Sequence, residues 1–273
     1  MRVWVCAIAK NEHLYINDWV KHYVKLGVDT ICLYDNDDIS SPHIADYIDK
    51  DLRNKVKIID IRGRKEHHLQ HRVYTEFYRE NREQFDWCLF VDIDEYLWGV
   101  SNIKNWLSNP KYKNAFQIRI KWKLFGDDDL ITRDMSLPVF KAFTHEIKQS
   151  LNRNLIDKGN LEKQGKMVVR GGLGNVLIAS PHFASFGKRD NVIPSILPSG
   201  KKCVSKVAIR EDYSNENIFV YHYMTKSLDE FINQKLNRTD AVYEDISISL
   251  DYYWRINKKT VEKIQFLEKR GLL

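Results

Sequence analysis

Short apolar runs occupy residues 3–9, 30–34 and 87–91, a fourth strand-like stretch interrupted by Lys57 and Asp60 occupies 56–61, and polar or acidic residues follow the runs at 3–9, 30–34 and 87–91. Runs apolar at successive rather than alternate positions predict strands buried on both faces. Between the first two, Ile16, Trp19, Val20, Tyr23 and Leu26 recur at helical spacing and predict an amphipathic helix over residues 14–26. Ser41 followed by Pro42 reads as a helix start, and a more polar helix is predicted over residues 67–82. Strand alternating with helix predicts an α/β fold, a mainly parallel sheet flanked by helices, with ligands bound outside the carboxyl ends of the strands.

The second half is less regular. Strands are predicted over residues 115–123, 137–143, 166–170, 176–179 and 218–221. Ser227-Leu228-Asp229-Glu230 is a capping-box pattern that opens a helix, and residues 254–273 read as one basic amphipathic helix. The expected organisation is a domain over residues 1–240, with a nucleotide-binding half (1–100) and an acceptor-binding half (101–240), then a C-terminal helical extension over 241–273. No repeat or low-complexity segment interrupts it.

Composition narrows the class. The 273 residues are 43% hydrophobic and 29% charged, a balance that suits a soluble domain with a sizeable core. A net charge of +6 favours anionic ligands or an anionic membrane surface, but the basic residues are dispersed and no RNA-type aromatic-basic motif exists, so no nucleic-acid partner is expected. Cys6, Cys32 and Cys88 lie in apolar runs and no CxxC pair is present, which predicts buried thiols in a reducing compartment and no structural zinc. The run at 3–9 is too short for a signal-peptide core, and no stretch approaches the roughly 20 apolar residues of a membrane span. The expectation is a cytoplasmic protein, peripheral at most to the inner face of a membrane. The basic tail has two readings, contact with anionic lipid or a helix packed on the core.

The chemistry concentrates at Phe90-Val91-Asp92-Ile93-Asp94-Glu95-Tyr96-Leu97, where a buried strand runs into acid. In extended chain Asp92 and Asp94 point the same way, and two carboxylates at a strand's end suit Mg²⁺ or Mn²⁺ completed by substrate phosphates. The competing reading is a solvated acidic turn. No EF-hand calcium loop is present.

Three strand ends then carry a resemblance: Ala9-Lys10-Asn11-Glu12, Leu33-Tyr34-Asp35-Asn36 and Val91-Asp92-Ile93-Asp94-Glu95-Tyr96. With them go Lys166-Met167-Val168-Val169-Arg170, the following His182, and Tyr221-His222-Tyr223-Met224-Thr225-Lys226-Ser227. In this order, over about residues 1–240, the chain resembles glycosyltransferases of the family 2 and family 92 type with the GT-A fold. The resemblance implies a Rossmann-like nucleotide half, a DxD-bound cation, a UDP-sugar donor, and inverting hexose transfer to an acceptor hydroxyl; the absence of a span or signal makes assembly of a bacterial surface polysaccharide or lipopolysaccharide, on a glycan or glycolipid acceptor, the expected setting. On this chain it implies that Asp94 binds the cation, that Asp92 binds the ribose or the cation, and that His222 is a further ligand. Ala9, Lys10, Asn11, Glu12 and Asp35 would line the nucleotide pocket, with Lys226 on the diphosphate. After the basic strand the pattern expects proline where this chain has Gly171-Gly172-Leu173-Gly174. That glycine run lacks a Gly-Lys-Ser/Thr, and a tight turn is its simplest reading.

Further candidates rest on residue type alone. Arg170 could neutralise a diphosphate. Trp122 and Phe125 could stack on a sugar, and His182 could line the acceptor site. Asp127 or Asp128 could serve as the general base, with Glu211 and Asp212 behind them. Each has an ordinary structural alternative. A metal-dependent phosphatase or phosphotransferase and a non-catalytic nucleotide-sugar binder are the rival functions. The dehalogenase-type DxDx(T/V) pattern fits poorly, because Tyr96 stands at its fifth position and the strand is the fourth.

Overall fold

Strand β1 (Val3–Ala9) shows how the first half folds. Its odd-numbered residues Val3, Val5, Ala7 and Ala9 enter one core, and Trp4 and Cys6 enter another on the opposite face. A computed structural model describes residues 1–147, 163–205, 208–238 and 247–273. Helix α1 (Ile16–Lys25) covers the first face with Ile16, Trp19, Val20 and Tyr23. Helix α2 (Leu69–Asn81) covers the second with Leu69, Val73, Tyr74 and Phe77, against Cys32 of β2 (Thr30–Asp35) and Cys88 and Phe90 of β4 (Trp87–Phe90). Each such fully buried large side chain contributes about 1.5–3 kcal/mol. All four cysteines are free and buried.

β1 pairs parallel with β2 on one side and with β4 on the other, and β2 pairs parallel with β3 (Val56–Asp60). The chain thus runs outward through β1, β2 and β3, then restarts at β4 beside β1. Beyond β4 the sheet is mixed. β5 (Glu95–Trp98) leaves the acidic turn, α3 (Ile103–Leu107) follows, and β6 (Gln117–Phe125) is separated from β4 by β8 (Gly165–Arg170), antiparallel to both. After α4 (Val139–Ala142), β7 (Glu146–Ile147) pairs with the end of β6. β9 (Val176–Ser180) and β10 (Phe183–Phe186) form a hairpin, β11 (Ser195–Ile196) and β12 (Lys202–Cys203) extend the edge, and β13 (Phe219–His222) joins β5 to β6. Helices α5 (Leu228–Gln234), α6 (Leu250–Tyr253) and α7 (Val261–Glu268) share a third apolar cluster around Leu228, Phe231, Tyr253, Trp254 and Leu267. The molecule is an α/β structure with a mixed central sheet flanked by helices.

Three expectations are corrected. Ser41-Pro42 opens no α-helix. A single 3₁₀ turn starts at Ile44, whose N–H is taken by Asp35 Oδ2 at 3.1 Å, so the cap comes from the preceding strand end. Residues 137–143 are not a strand, because Lys141 and Ala142 N–H donate back to the Pro138 carbonyl and close the helical turn α4. Residues 254–273 are not one continuous helix: they turn at 254–260 and form only the short helix α7. The capping box at Ser227 forms, with Ser227 and Glu230 each bonding the other's backbone. The expected boundary at residue 240 falls outside the described residues.

Candidate functional site

The acidic segment is a turn rather than extended chain: Glu95 N–H donates to the Asp92 carbonyl at 3.1 Å. Helix α1 holds it from below. Trp19 Nε1 donates to the carbonyls of Asp92 and Glu95, both at 3.0 Å, and the Tyr23 hydroxyl donates to Glu95 at 3.0 Å. Strand β13 holds it from the side, with Tyr223 N–H on the Asp94 carbonyl at 2.9 Å and His222 in register with Glu95. The helical stripe on α1 therefore does two jobs, core filling and fixing the turn.

Around this turn four cations meet four carboxylates. Lys166, fully buried on β8, donates to Asp92 Oδ2 at 2.6 Å and lies 3.2 Å from Glu95 Oε2. Gln70 of α2 donates to Asp92 Oδ1 at 2.7 Å, and Asp92 N–H donates to Glu95 Oε2 at 2.8 Å. Lys235 donates to Asp94 Oδ2 at 2.5 Å and to the Met224 carbonyl at 2.7 Å. His222 Nε2 is 3.5 Å from Asp94 Oδ1, while its Nδ1 and Glu95 Oε1, 3.8 Å apart, are buried without hydrogen-bond partners. Glu12 lies 3.8 Å from Lys226 and 3.5 Å from Arg238.

The protonation states follow from this pairing. Burial alone would raise the Asp92 and Asp94 carboxyls, but Lys166 beside the first and Lys235 beside the second hold both below the ordinary range. Burial pushes Glu95 up to about 7, with Lys166 only partly offsetting it. Lys166 resists burial because Asp92 and Glu95 hold its proton, and stands at about 12. Burial lowers Lys226, whose ammonium sits 3.8 Å over the Tyr15 ring. Lys226 also has a backbone φ of 59°, a left-handed conformation that costs a non-glycine residue about 1–3 kcal/mol.

Of these groups Glu12, Gln70, Asp92, Asp94, His222, Lys235 and Arg238 line a cleft of about 830 Å³ at the carboxyl ends of β1, β2 and β4, where the strand order reverses. Lys10, Asn11 and Glu12 line it after β1, Asn36 and Asp38 after β2, and Asp92 and Asp94 after β4. Trp122, His182 and His222 form one wall, and Lys235, Arg238 and Tyr252 close another. Trp122 packs on both histidines, with ring centroids 5.1 Å from His182 and 4.5 Å from His222. His182 Nδ1 donates to the Gly165 carbonyl at 2.8 Å, so the ring is a neutral tautomer with its lone pair on Nε2. Burial and nearby Lys166 lower its pKa to about 3.

Several expected site residues lie elsewhere. Ala9 is buried within the sheet, and Asp35 lies under the loop that follows β2, accepting from Asp37 and Ile44 N–H. Arg170 donates to the Tyr112, Lys113 and Ala115 carbonyls and stacks on Trp87, away from any diphosphate. Phe125 packs on Tyr223 in the core rather than on a sugar. Asp127 is committed to Lys263 and Tyr253, and Asp128 to the Thr144 N–H and His145, so neither faces the cleft as a base. Glu211 staples Val204 and Ser205, and exposed Asp212 caps Ser214. Lys226 is buried behind Glu12 instead of lining the cleft. The sequence reading missed Gln70, Glu95, Lys166 and Lys235. Glu95 and Lys166 had a signal, a third acid after DxD and a lysine in an apolar strand. Gln70 and Lys235 had none.

Among the described residues no group of three or more His, Cys, Asp or Glu side chains could hold a metal ion. Asp94 and His222 offer two ligands. Their 3.5 Å separation suits one ion with each ligand at roughly 2.0–2.2 Å, provided that phosphate oxygens and water complete the shell.

The buried histidines predict acid sensitivity. Burial lowers His22 to about 4, and His182 stands at about 3, both against an ordinary 6.5. Their stabilising contribution is complete above pH 6.5 and is lost as pH falls, because the unfolded chain binds the protons. Glu95 acts in the opposite sense between 4.5 and about 7. His71, likewise lowered by burial to about 4, adds a third such proton, so the balance is two and stability should fall by about 2.7 kcal/mol per pH unit from 6.5 toward 4.5. Urea midpoints at pH 7, 6 and 5 check this, and a flat or rising series on acidification contradicts it.

Comparison with protein-family models and with curated proteins finds no match to this chain.

Proposed function

We propose that the chain is a glycosyltransferase of the GT-A type that takes a nucleoside-diphosphate sugar, with uridine as the base, together with Mn²⁺ or Mg²⁺. The observation that carries this reading is the convergence of Asp92, Asp94 and His222 at the strand-order reversal, on the floor of a cleft with an aromatic wall. Asp94 and His222 would hold the cation, which when bound neutralises charge on the departing diphosphate. Asp92 is fixed by Gln70 and Lys166, and each of its oxygens keeps a lone pair for a ribose hydroxyl. Arg238 and Lys10 at the rim favour the anionic donor. Trp122 offers a face to the sugar, and the neutral His182 Nε2 accepts a hydrogen bond that orients the attacking hydroxyl. The new bond joins that oxygen to the anomeric carbon as the sugar–diphosphate bond breaks and the hydroxyl proton passes to water. The acceptor in this reading is a glycan or glycolipid. Among the described residues no helix is long and apolar enough to cross a membrane.

Calorimetric titration of UDP with Mn²⁺, then with EDTA, tests the proposal. Binding that needs the cation, followed by hydrolysis of at least one UDP-sugar, is the expected result. UDP binding indifferent to EDTA, with no turnover of any donor, would remove its main support.

A further inference from the structure

The Asp94 carboxylate already carries a cation. Oδ2 carries the Lys235 ammonium at 2.5 Å, and Oδ1 faces His222 at 3.5 Å. The Lys235 side chain is only 7% exposed, and apart from Asp94 its ammonium donates to one uncharged group, the Met224 carbonyl. Lys166 plays a different part on Asp92. It projects from the middle of the sheet, is fully buried, and divides its charge between Asp92 and Glu95. Lys235 follows the last residue of α5 and lines the cleft, so its four-carbon stem can turn within the space that a ligand enters. A divalent cation on Asp94 would stand against a lysine on the same carboxylate, and like charges so close repel. An anion in the cleft changes that balance by giving the ammonium a second negative partner.

We propose that Lys235 is a tethered counter-ion of Asp94 that keeps a divalent cation out of the free protein and passes to the diphosphate when the donor binds. The inference rests on the donor reading above and adds its regulation: cation and nucleoside diphosphate enter together, each weakly without the other.

The test is Mn²⁺ binding, followed by electron paramagnetic resonance of the free ion, for wild type and Lys235→Met, with and without UDP. Methionine keeps the stem and removes the charge. The wild type should take up Mn²⁺ at least about tenfold more tightly with UDP than alone. Lys235→Met should bind Mn²⁺ alone about tenfold more tightly than the wild type does, and should lose most of the UDP enhancement. Equal Mn²⁺ affinity of the two proteins without UDP overturns the proposal, as does a wild-type affinity that UDP leaves unchanged. If Lys235→Met does not fold, the wild-type comparison decides alone. Failure of UDP to bind either protein defeats the donor reading, while Mn²⁺ uptake alone still decides the role of the lysine. No Mn²⁺ uptake under any condition, with UDP bound, overturns the counter-ion role and leaves a metal-free donor site.

Discussion

Asp94→Asn is expected to abolish cation-dependent UDP binding and to lower transfer by about 10³-fold, equivalent to about 4 kcal/mol of transition-state stabilisation. The substitution keeps the shape of the side chain and its hydrogen-bonding oxygen, but removes the charge that holds Lys235 and attracts the ion. Asp92→Asn should do less, since Asp92 is partly exposed and is fixed by an amide as well as an ammonium. Calorimetry of UDP with Mn²⁺ and turnover of the active UDP-sugar measure both variants, and circular dichroism separates site loss from unfolding. A folded Asp94→Asn protein that transfers within threefold of wild type would remove Asp94 from the chemistry.

Lys263→Met should be the most destabilising single change among those considered, at about 3–5 kcal/mol, because it leaves a buried carboxylate uncompensated. Lys263 is fully buried on α7 and places its ammonium 2.5 Å from Asp127, 3.1 Å from Asp129 and 3.2 Å from the Lys258 carbonyl. Asp127 also accepts from Tyr253, and its N–H donates to Asn257, which in turn bonds Thr225 beside Lys226. Urea unfolding should show the full loss for Lys263→Met and little change for Val261→Ser at an exposed position of the same helix. Adding Asp127→Asn to Lys263→Met should restore part of the stability, since the orphaned charge is then gone. Equal stability of Lys263→Met and wild type would mean that the tie carries no energy.

Strands β1, β2 and β4 were legible because each is apolar on both faces, and helix α1 because its stripe keeps helical spacing. The cleft was legible for one reason: strand order places the polar ends of β1, β2 and β4 together, so Lys10 to Glu12 and Asp92 to Asp94 meet. What stayed hidden were partnerships across long sequence separations. Nothing near Lys235 announces Asp94, 141 positions away, and nothing near Asp127 announces Tyr253. Asp127, Asp128, Phe125 and Arg170 looked functional because their residue types suit catalysis, stacking and phosphate binding, yet each is used to join one segment to another. The tail was misread because its apolar positions suit one helix, whereas the chain breaks after Trp254 so that Trp254 and Leu267 can pack on α5.

The tie between Asp127 and Lys263 also sets a timetable for biogenesis. A ribosome adding about 5–20 residues per second takes roughly 8–34 s to travel from Asp94 to Lys263. During that interval Lys166, then Lys235, then Lys263 are added, each arriving later than the acid it neutralises. The sheet cannot bury those carboxylates until their lysines emerge. Fragments stalled before residue 263 should therefore hold an open, hydrated site and depend on chaperones, and competence to bind a donor should appear late and abruptly as synthesis proceeds.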